Sequence, residues 1–404
     1  MKLRHLIARL ALPFAGALLT TLISPARADV ITDWNQRSAQ IVGEARIGTP
    51  PAVRVMALVQ TAAYEAVRDA TRAPSTPSHA VEAAVAGAHR AALTQLIPTQ
   101  RTAVEAAVQG ALAGLPDDAV RAANVAVGER AAQRVLASRA GEMPGGAETY
   151  RPHTTPGAYV PTTTLAALQW PQRKPWLLHR ADQFRPGPPP SLSSARWARD
   201  YNEMKSVGAR ESKQRTPEQT HTGRFWDYSL PAIYHGVVRS VALQPGREVL
   251  ANARLFAVVA QAMDDALIAV MDAKYHYNFW RPVTAIRNGD TDGHDGTERD
   301  AGWAPLIETP MHPEYPCAHC ILASTVATVL NAEARQGPLP LLSTTSATLP
   351  GAARSWNSPD DFMNEVAQAR IHGGVHFRTS TEVGIAMGQR IGQWALDRSA
   401  AAEQ

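Results

Sequence analysis

The sequence predicts an all-α protein built of packed helical bundles. Three observations carry that expectation. Apolar residues recur at helical spacing along nearly the whole chain, several stretches are alanine-rich, and no segment alternates apolar and polar residues between turn signals as a half-buried strand does. No repeat of fixed period is present. With 404 residues, 45% of them hydrophobic and 19% charged, the chain is long enough for one large domain or two ordinary ones, and it is neither disordered nor membrane-embedded along its length.

The elements follow in order. Residues 50–70 open on a proline pair and place Val55, Val59, Ala62 and Ala66 on one helical face. Alanine-rich helices follow at 80–96, 101–114 and 118–139. Residues 151–191 change character: Pro- and Thr-rich stretches such as "FRPGPPPS" form a connection expected to wrap the surface. Helices resume at 192–208. Thr216 then caps another, with Pro217 at its first position and Gln219 closing a capping box. Residues 247–274 are apolar nearly all round and should be buried. Further helices fit 317–333, 360–372 and 380–398. The organisation expected is a leader (1–28), an N-terminal helical region (29–150), the connection (151–191) and a C-terminal bundle (192–404), joined as one continuous domain.

The leader rests on three features. Lys2, Arg4 and Arg9 make a basic start, Leu10 to Ile23 form an apolar run, and Ala26-Arg27-Ala28 is an A-x-A cleavage site, so the mature chain should begin at Asp29. The run is short for a ~20-residue membrane span. The formal net charge of +4 resides wholly in the four Lys/Arg of residues 1–28, and the remainder is neutral. Nothing therefore points to nucleic acid, which a basic footprint on the mature domain would announce. An exported, periplasmic protein without a membrane span is expected.

Three segments combine histidine with positive charge: "KYHYNFWRP" (274–282), "HPEYPCAHC" (312–320) and "ARIHGGVHFR" (369–378). Cys317 and Cys320 are the only cysteines, and three apart they cannot frame the fold. At a helix start they suit a thiol–disulfide oxidoreductase, although the strand that leads into such a motif in a βαβ unit is missing. Zinc could use them with His372 and His376, an i, i+4 pair on one helical face if the helix survives Gly373-Gly374. The acidic loop 288–300 has Arg299 where a calcium loop needs a bidentate glutamate, and reads as a solvated loop. The remaining reading uses all three segments. Lys274 and Arg281, seven apart, would project from one helical face about 10 Å apart, with Pro282 ending that helix. Arg370 adds a second fork, and His376 follows. Three cations aimed at one point call for a multiply charged anion between them.

The spacings Lys274-x6-Arg281-Pro282, Pro316-Cys317-Ala318-His319 and Ala369-Arg370-x5-His376 resemble the K-x6-R-P, P-S-G-H and S-R-x5-H motifs of the vanadium-dependent haloperoxidases and type-2 phosphatidic acid phosphatases. Flanking stretches resemble the exported bacterial haloperoxidase-like branch, so the likeness covers most of the mature chain. It implies an all-α enzyme whose pocket holds vanadate, or phosphate in the phosphatase branch. By the same resemblance His376 is the axial ligand to vanadium, or the phosphatase nucleophile. Lys274, Arg281 and Arg370 neutralise the oxyanion, the Ala318 N–H donates to it, Lys274 adds polarisation, and His319 is the acid/base. Hydrogen peroxide, with a halide or small organic substrate, would be the partners, and His312 a candidate for the halide side.

This chain departs from the motifs in three places. Cys317 replaces serine, exchanging a good hydroxyl donor for a poor thiol one. Ala318 replaces glycine, and Ala369 replaces the serine before Arg370. Ser380 stands where the phosphatases often have an aspartate to orient the histidine, which disfavours phosphatase chemistry unless Asp264, Asp265 or Asp272 reaches the pocket. The alternatives to a halide-oxidising peroxidase are an acid phosphatase on the same pocket and a non-catalytic oxyanion-binding protein. A Cys317–Cys320 bond, formed by peroxide, would remove the thiol.

Overall fold

The computed structural model describes residues 29–73, 75–142, 150–228 and 231–401; the expected leader lies outside them. Among the described residues the chain forms thirteen α-helices: α1 (Val30–Glu44), α2 (Thr49–Ala70), α3 (Ser78–Leu96), α4 (Arg101–Ala113), α5 (Ala119–Ser138), α6 (Ala195–Val207), α7 (Pro217–Phe225), α8 (Pro231–Ala242), α9 (Val249–Tyr277), α10 (Pro282–Arg287), α11 (Ala318–Ala334), α12 (Pro359–His372) and α13 (Arg378–Ala401). A hairpin of β1 (Leu342–Thr345) and β2 (Ala353–Trp356) pairs antiparallel, with Leu342 opposite Trp356. No helix is long and apolar enough to cross a membrane among the described residues.

The all-α expectation holds. The ten expected helices lie at their places within a few residues, and the capping box forms as read: Thr216 accepts from the Gln219 N–H while the Gln219 side chain accepts from the Thr216 N–H. Helices α1, α8 and α10 and the hairpin are additional. At four residues per strand, β1 and β2 are too short to show a period of two, and β1 takes its place by packing on α8.

Helix α9 is the axis of the molecule. It is buried along most of its length and packs against α1, α2, α8, α11 and α13. It ends at Tyr277, not at Arg281, because Asn278 takes the left-handed conformation (φ 48°) that closes a helix. Arg281 is the N-cap of α10, and Pro282 begins that helix instead of ending α9. Lys274 and Arg281 therefore do not share a helical face.

The connection 151–191 runs along the surface, exposed or half-buried at most positions, and is pinned to the core at a few. Tyr159, Trp170 and Leu178 are buried. The backbone N–H groups of Trp176, Leu177 and Leu178 donate to the Asp265 carboxylate at 2.6, 2.7 and 2.9 Å. Asp264 accepts from Arg54 (2.7 Å) and from Trp176 Nε1 (2.8 Å), and Arg185 clasps Asp272 at 2.7 and 2.8 Å. All three aspartates of α9 thus hold the connection in place, and none is left to serve the oxyanion motifs.

Glycines set the distance between α11 and α13. A Cβ on Gly388 would stand 1.9 Å from Ser324 Oγ and 2.4 Å from the Ile321 carbonyl, and one on Gly384 2.8 Å from the Cys317 carbonyl. Backbone meets backbone there, which fixes the first turn of α11. Gly388→Ala should destabilise the protein by about 1–3 kcal/mol in urea unfolding, through overpacking that no rotamer relieves; an unchanged midpoint would show the helices free to move apart.

Two buried histidines outside the motifs make the fold acid-sensitive. Burial lowers His89 to about 4 and His235 to about 3. Below their unfolded value near 6.5 the unfolded chain takes up protons that the folded chain refuses, so their contribution falls with pH from about 6.5 to 4. His89 stacks on Trp34 at 4.6 Å, a contact phenylalanine can keep. In His89→Phe the fall in stability over that window should be shallower by about 1.4 kcal/mol per pH unit, read from urea midpoints at pH 6.5 and 4.5.

Candidate active site

The pocket gathers where helices break. Lys274 lies in the last turn of α9, and its Nζ donates to the carbonyls of Pro313 and Glu314, both at 2.8 Å. Arg281, at the α10 cap, donates from Nε to the His312 carbonyl (2.9 Å) and from Nη1 to the Val375 carbonyl (2.8 Å). Arg370, near the end of α12, donates from Nη1 to the Trp226 carbonyl. All three side chains are fully buried, at 0–1% exposure. Burial lowers Arg281 and Arg370 to about 10 and takes Lys274 well below its usual value, with Arg281 adding to the effect on Lys274.

His376 arrives through a turn that only glycine permits. Helix α12 ends at His372, Gly373 caps it, and Gly374 takes φ +80° with the built Cβ 2.4 Å from the Gly208 carbonyl. His372 and His376 therefore do not share a helical face. The hydrogen bonds of His376 assign its tautomer. Arg281 Nη1 lies 3.3 Å from Nε2 and can only donate, so Nε2 carries the lone pair. Nδ1 carries the proton and gives it to Glu314 Oε1 at 2.8 Å. The same oxygen accepts the Phe377 N–H at 3.0 Å, and Ser380 also hydrogen-bonds the carboxyl. Burial, followed by the charges of Arg281 and Lys274, takes His376 well below its usual value, so the imidazole is neutral. Burial pushes Glu314 up to about 7, against the pull of Lys274 and Arg281.

Glu314 is the residue that sequence reasoning missed. It lies 62 positions from His376 and supplies the orienting carboxylate sought at Ser380 and on α9. The only signal available was its place two residues before Pro316.

His319 sits in the first turn of α11. A backbone bond to Asp227 holds one ring nitrogen, and Nε2 is buried without a partner. Since a carbonyl accepts, the held nitrogen bears the proton and Nε2 is a free base. Burial and the three cations keep it neutral. His312, half-buried, directs Nδ1 at Arg281 Nη2 (3.0 Å) and so belongs to the same cluster; burial and the charges of Lys274 and Arg281 lower its pKa well below the usual value.

Cys317 and Cys320 are joined in a disulfide. This corrects the expected role of the Cys317 side chain: its sulfur has no proton to donate and instead accepts the Cys320 N–H at 3.2 Å as the cap of α11. Both sulfurs are buried among Ala367 and Ile385. The bond leaves no thiolate for zinc, and no strand leads into the motif, as an oxidoreductase scaffold would require. Ala318, at the first position of α11, keeps an N–H without an intrahelical acceptor.

The donor set fits a tetrahedral oxyanion. Among the described residues Arg370 Nε and Nη2 are buried donors with no partner, and His319 Nε2 is a buried acceptor with none. An oxyanion bearing both O⁻ and OH satisfies both kinds of group. Three cations face two carboxylates, Glu314 beside Lys274 and Arg281 and the half-buried Asp227 beside Arg370, so the cluster also has positive charge to spare. No group of three or more His, Cys, Asp or Glu suited to a bare metal cation exists among the described residues; the donors and charges of these side chains suit an anion.

The chain is similar to known proteins in sequence and in fold. Residues 254–403 match the family described as the VCPO second helical-bundle domain. A vanadium chloroperoxidase of Curvularia inaequalis is 29% identical over 180 residues, which span 36% of this chain and 29% of that relative. The fold is shared with a bacterial vanadium-dependent iodoperoxidase (TM-score 0.76, 22% identity, 93% of this chain and 98% of that one). It is shared too with a holo-type bacterial vanadium-dependent chloroperoxidase (TM-score 0.74, 18% identity, 94% and 99%).

Gly374→Ala should displace His376 and lower the affinity for phosphate or vanadate at least roughly tenfold, because the Cβ meets backbone on a positive φ. Equilibrium dialysis reads it, and wild-type affinity would mean the turn relaxes without moving the imidazole.

Proposed function

We propose, from the match of residues 254–403 to the VCPO second helical-bundle domain and the likeness to a vanadium chloroperoxidase, that this protein is a vanadate-dependent peroxidase oxidising halide with hydrogen peroxide. The supporting observation is the unpartnered donor–acceptor set of Arg370 Nε, Arg370 Nη2 and His319 Nε2 in a buried cluster of surplus positive charge. Bound vanadate supplies a Lewis-acidic centre that polarises peroxide.

The residues divide the remaining work. His376 would hold the vanadate through its Nε2 lone pair, with its proton kept on the far nitrogen. Arg281, Arg370 and Lys274 offset the oxyanion's charge in a site closed to water, where such contacts are stronger than at the surface. The Ala318 N–H, at a helix start, adds a donor. His319 takes a proton from incoming peroxide at Nε2 and returns it to the departing oxygen, which its lowered pKa suits. His312 borders the cluster beside Arg281 and is assigned to the halide side. A halide or a small organic molecule is the final reductant.

Export to the periplasm belongs to the same proposal. The disulfide supports it, since such bonds persist in oxidising compartments. So does Asp29, which caps α1 at the expected mature N-terminus.

One observation favours a second reading. Glu314 gives His376 the carboxylate that a phosphorylated histidine nucleophile needs, so acid phosphatase activity on the same pocket is the alternative. The test is bromide-dependent bromination of a phenolic dye by protein and hydrogen peroxide, with and without orthovanadate. Bromination only with vanadate, reduced about 10²-fold or more in His376→Ala, is expected. Aryl-phosphate hydrolysis inhibited by vanadate, without bromination, would replace the first reading by the second. Tight oxyanion binding with neither activity would leave a binding protein.

A further inference from the structure

The geometry points to Glu314 as the positioning residue of the oxyanion site: its carboxylate holds the His376 proton on Nδ1 and so commits the Nε2 lone pair to the centre of the bound oxyanion. This rests on the oxyanion reading above and adds to it a residue outside all three motifs.

Four contacts converge on this one residue. The carboxylate accepts from His376 Nδ1 and from the Phe377 N–H. The Glu314 carbonyl accepts from Lys274 Nζ, and the Glu314 N–H donates to the Phe279 carbonyl at 2.9 Å, in the segment that leads to Arg281. The residue is wholly buried, so water cannot take over the imidazole proton if the carboxylate is lost. The one other group near Nδ1 is the Ser380 hydroxyl, at 3.5 Å. That hydroxyl can donate as well as accept, and alone it does not select a tautomer. With the proton moved to Nε2, an N–H would face Arg281 Nη1, donor against donor, and the lone pair would point away from the cations. The carboxylate also makes the imidazole a stronger donor, as a partner on the far nitrogen does for metal-bound histidine.

The experiment compares wild type, Glu314→Gln and Glu314→Leu in two measurements. Long-range 1H–15N correlation on histidine-labelled protein without ligand reads the tautomer of His376. Equilibrium dialysis reads vanadate and phosphate affinity. Wild type should show the proton on Nδ1 alone. The leucine variant should show the proton wholly or partly on Nε2. The glutamine variant keeps an acceptor oxygen, and should keep the tautomer while binding vanadate about 10–100-fold more weakly. An Nδ1–H tautomer in the leucine variant, or wild-type vanadate affinity in the glutamine variant, would overturn the inference. If the leucine variant does not fold, the glutamine variant decides: weaker binding at a near-native urea midpoint supports the role, and unchanged binding removes it. A wild-type protein that binds neither vanadate nor phosphate overturns the oxyanion reading instead, and the leucine tautomer still decides the role of Glu314.

Discussion

Three buried cations, facing only the carboxylates of Glu314 and Asp227, are the constraint to which the rest of this structure answers. Burying an unpaired charge is among the costliest arrangements a fold can contain. Lys274, Arg281 and Arg370 are held mainly by backbone carbonyls, those of Pro313, Glu314, His312, Val375 and Trp226. A carbonyl inside a helix is already committed to the helix, so this supply exists only where helices stop. That explains why α9 ends at a left-handed Asn278, why α12 ends at Gly373-Gly374, and why residues 310–317 form no helix between α10 and α11. Breaks that look like interruptions of a bundle are the source of the ligands for its charges.

The carbonyls do not finish the task. Arg370 retains two unpartnered donors and His319 one unpartnered acceptor, all buried. Groups of this kind cost free energy until something satisfies them, and their arrangement describes what that something is: an anion with both bare and protonated oxygens. Tight packing elsewhere holds these helix ends in place. Glycines let α13 lie directly on α11, and the aspartates of α9 bind the connection firmly to the core.

How much of this the sequence disclosed depends on the range of each interaction. Helical periodicity is local, and ten helices, among them the one that opens on the Thr216 capping box, lie where the pattern put them. Lys274, Arg281, Arg370, His319 and His376 stood out because their spacings matched known motifs, and the structure brings their side chains into one buried cluster. The pairing of Glu314 with His376 crosses 62 positions and has no spacing rule, so it was invisible. The shared helix for Lys274 and Arg281 failed for a different reason. Asn278 ends α9 and Pro282 starts α10, and residue order alone does not distinguish a proline that closes one helix from a proline that opens the next.

The disulfide beside this pocket then acquires a chemical rationale. In the proposed reading the site admits peroxide and generates a stronger oxidant, and a thiolate at a helix start near three cations would be its first victim. Joined to Cys320, Cys317 offers no thiolate, yet its sulfur still accepts the Cys320 N–H, so the helix cap survives the loss of the serine hydroxyl. What is lost is a donor to the oxyanion. The free donors of Arg370 and the N–H of Ala318 must then hold the oxyanion without the help of a hydroxyl. In that reading more weight would fall on the Nε2 lone pair of His376, and hence on the carboxylate that keeps it facing inward.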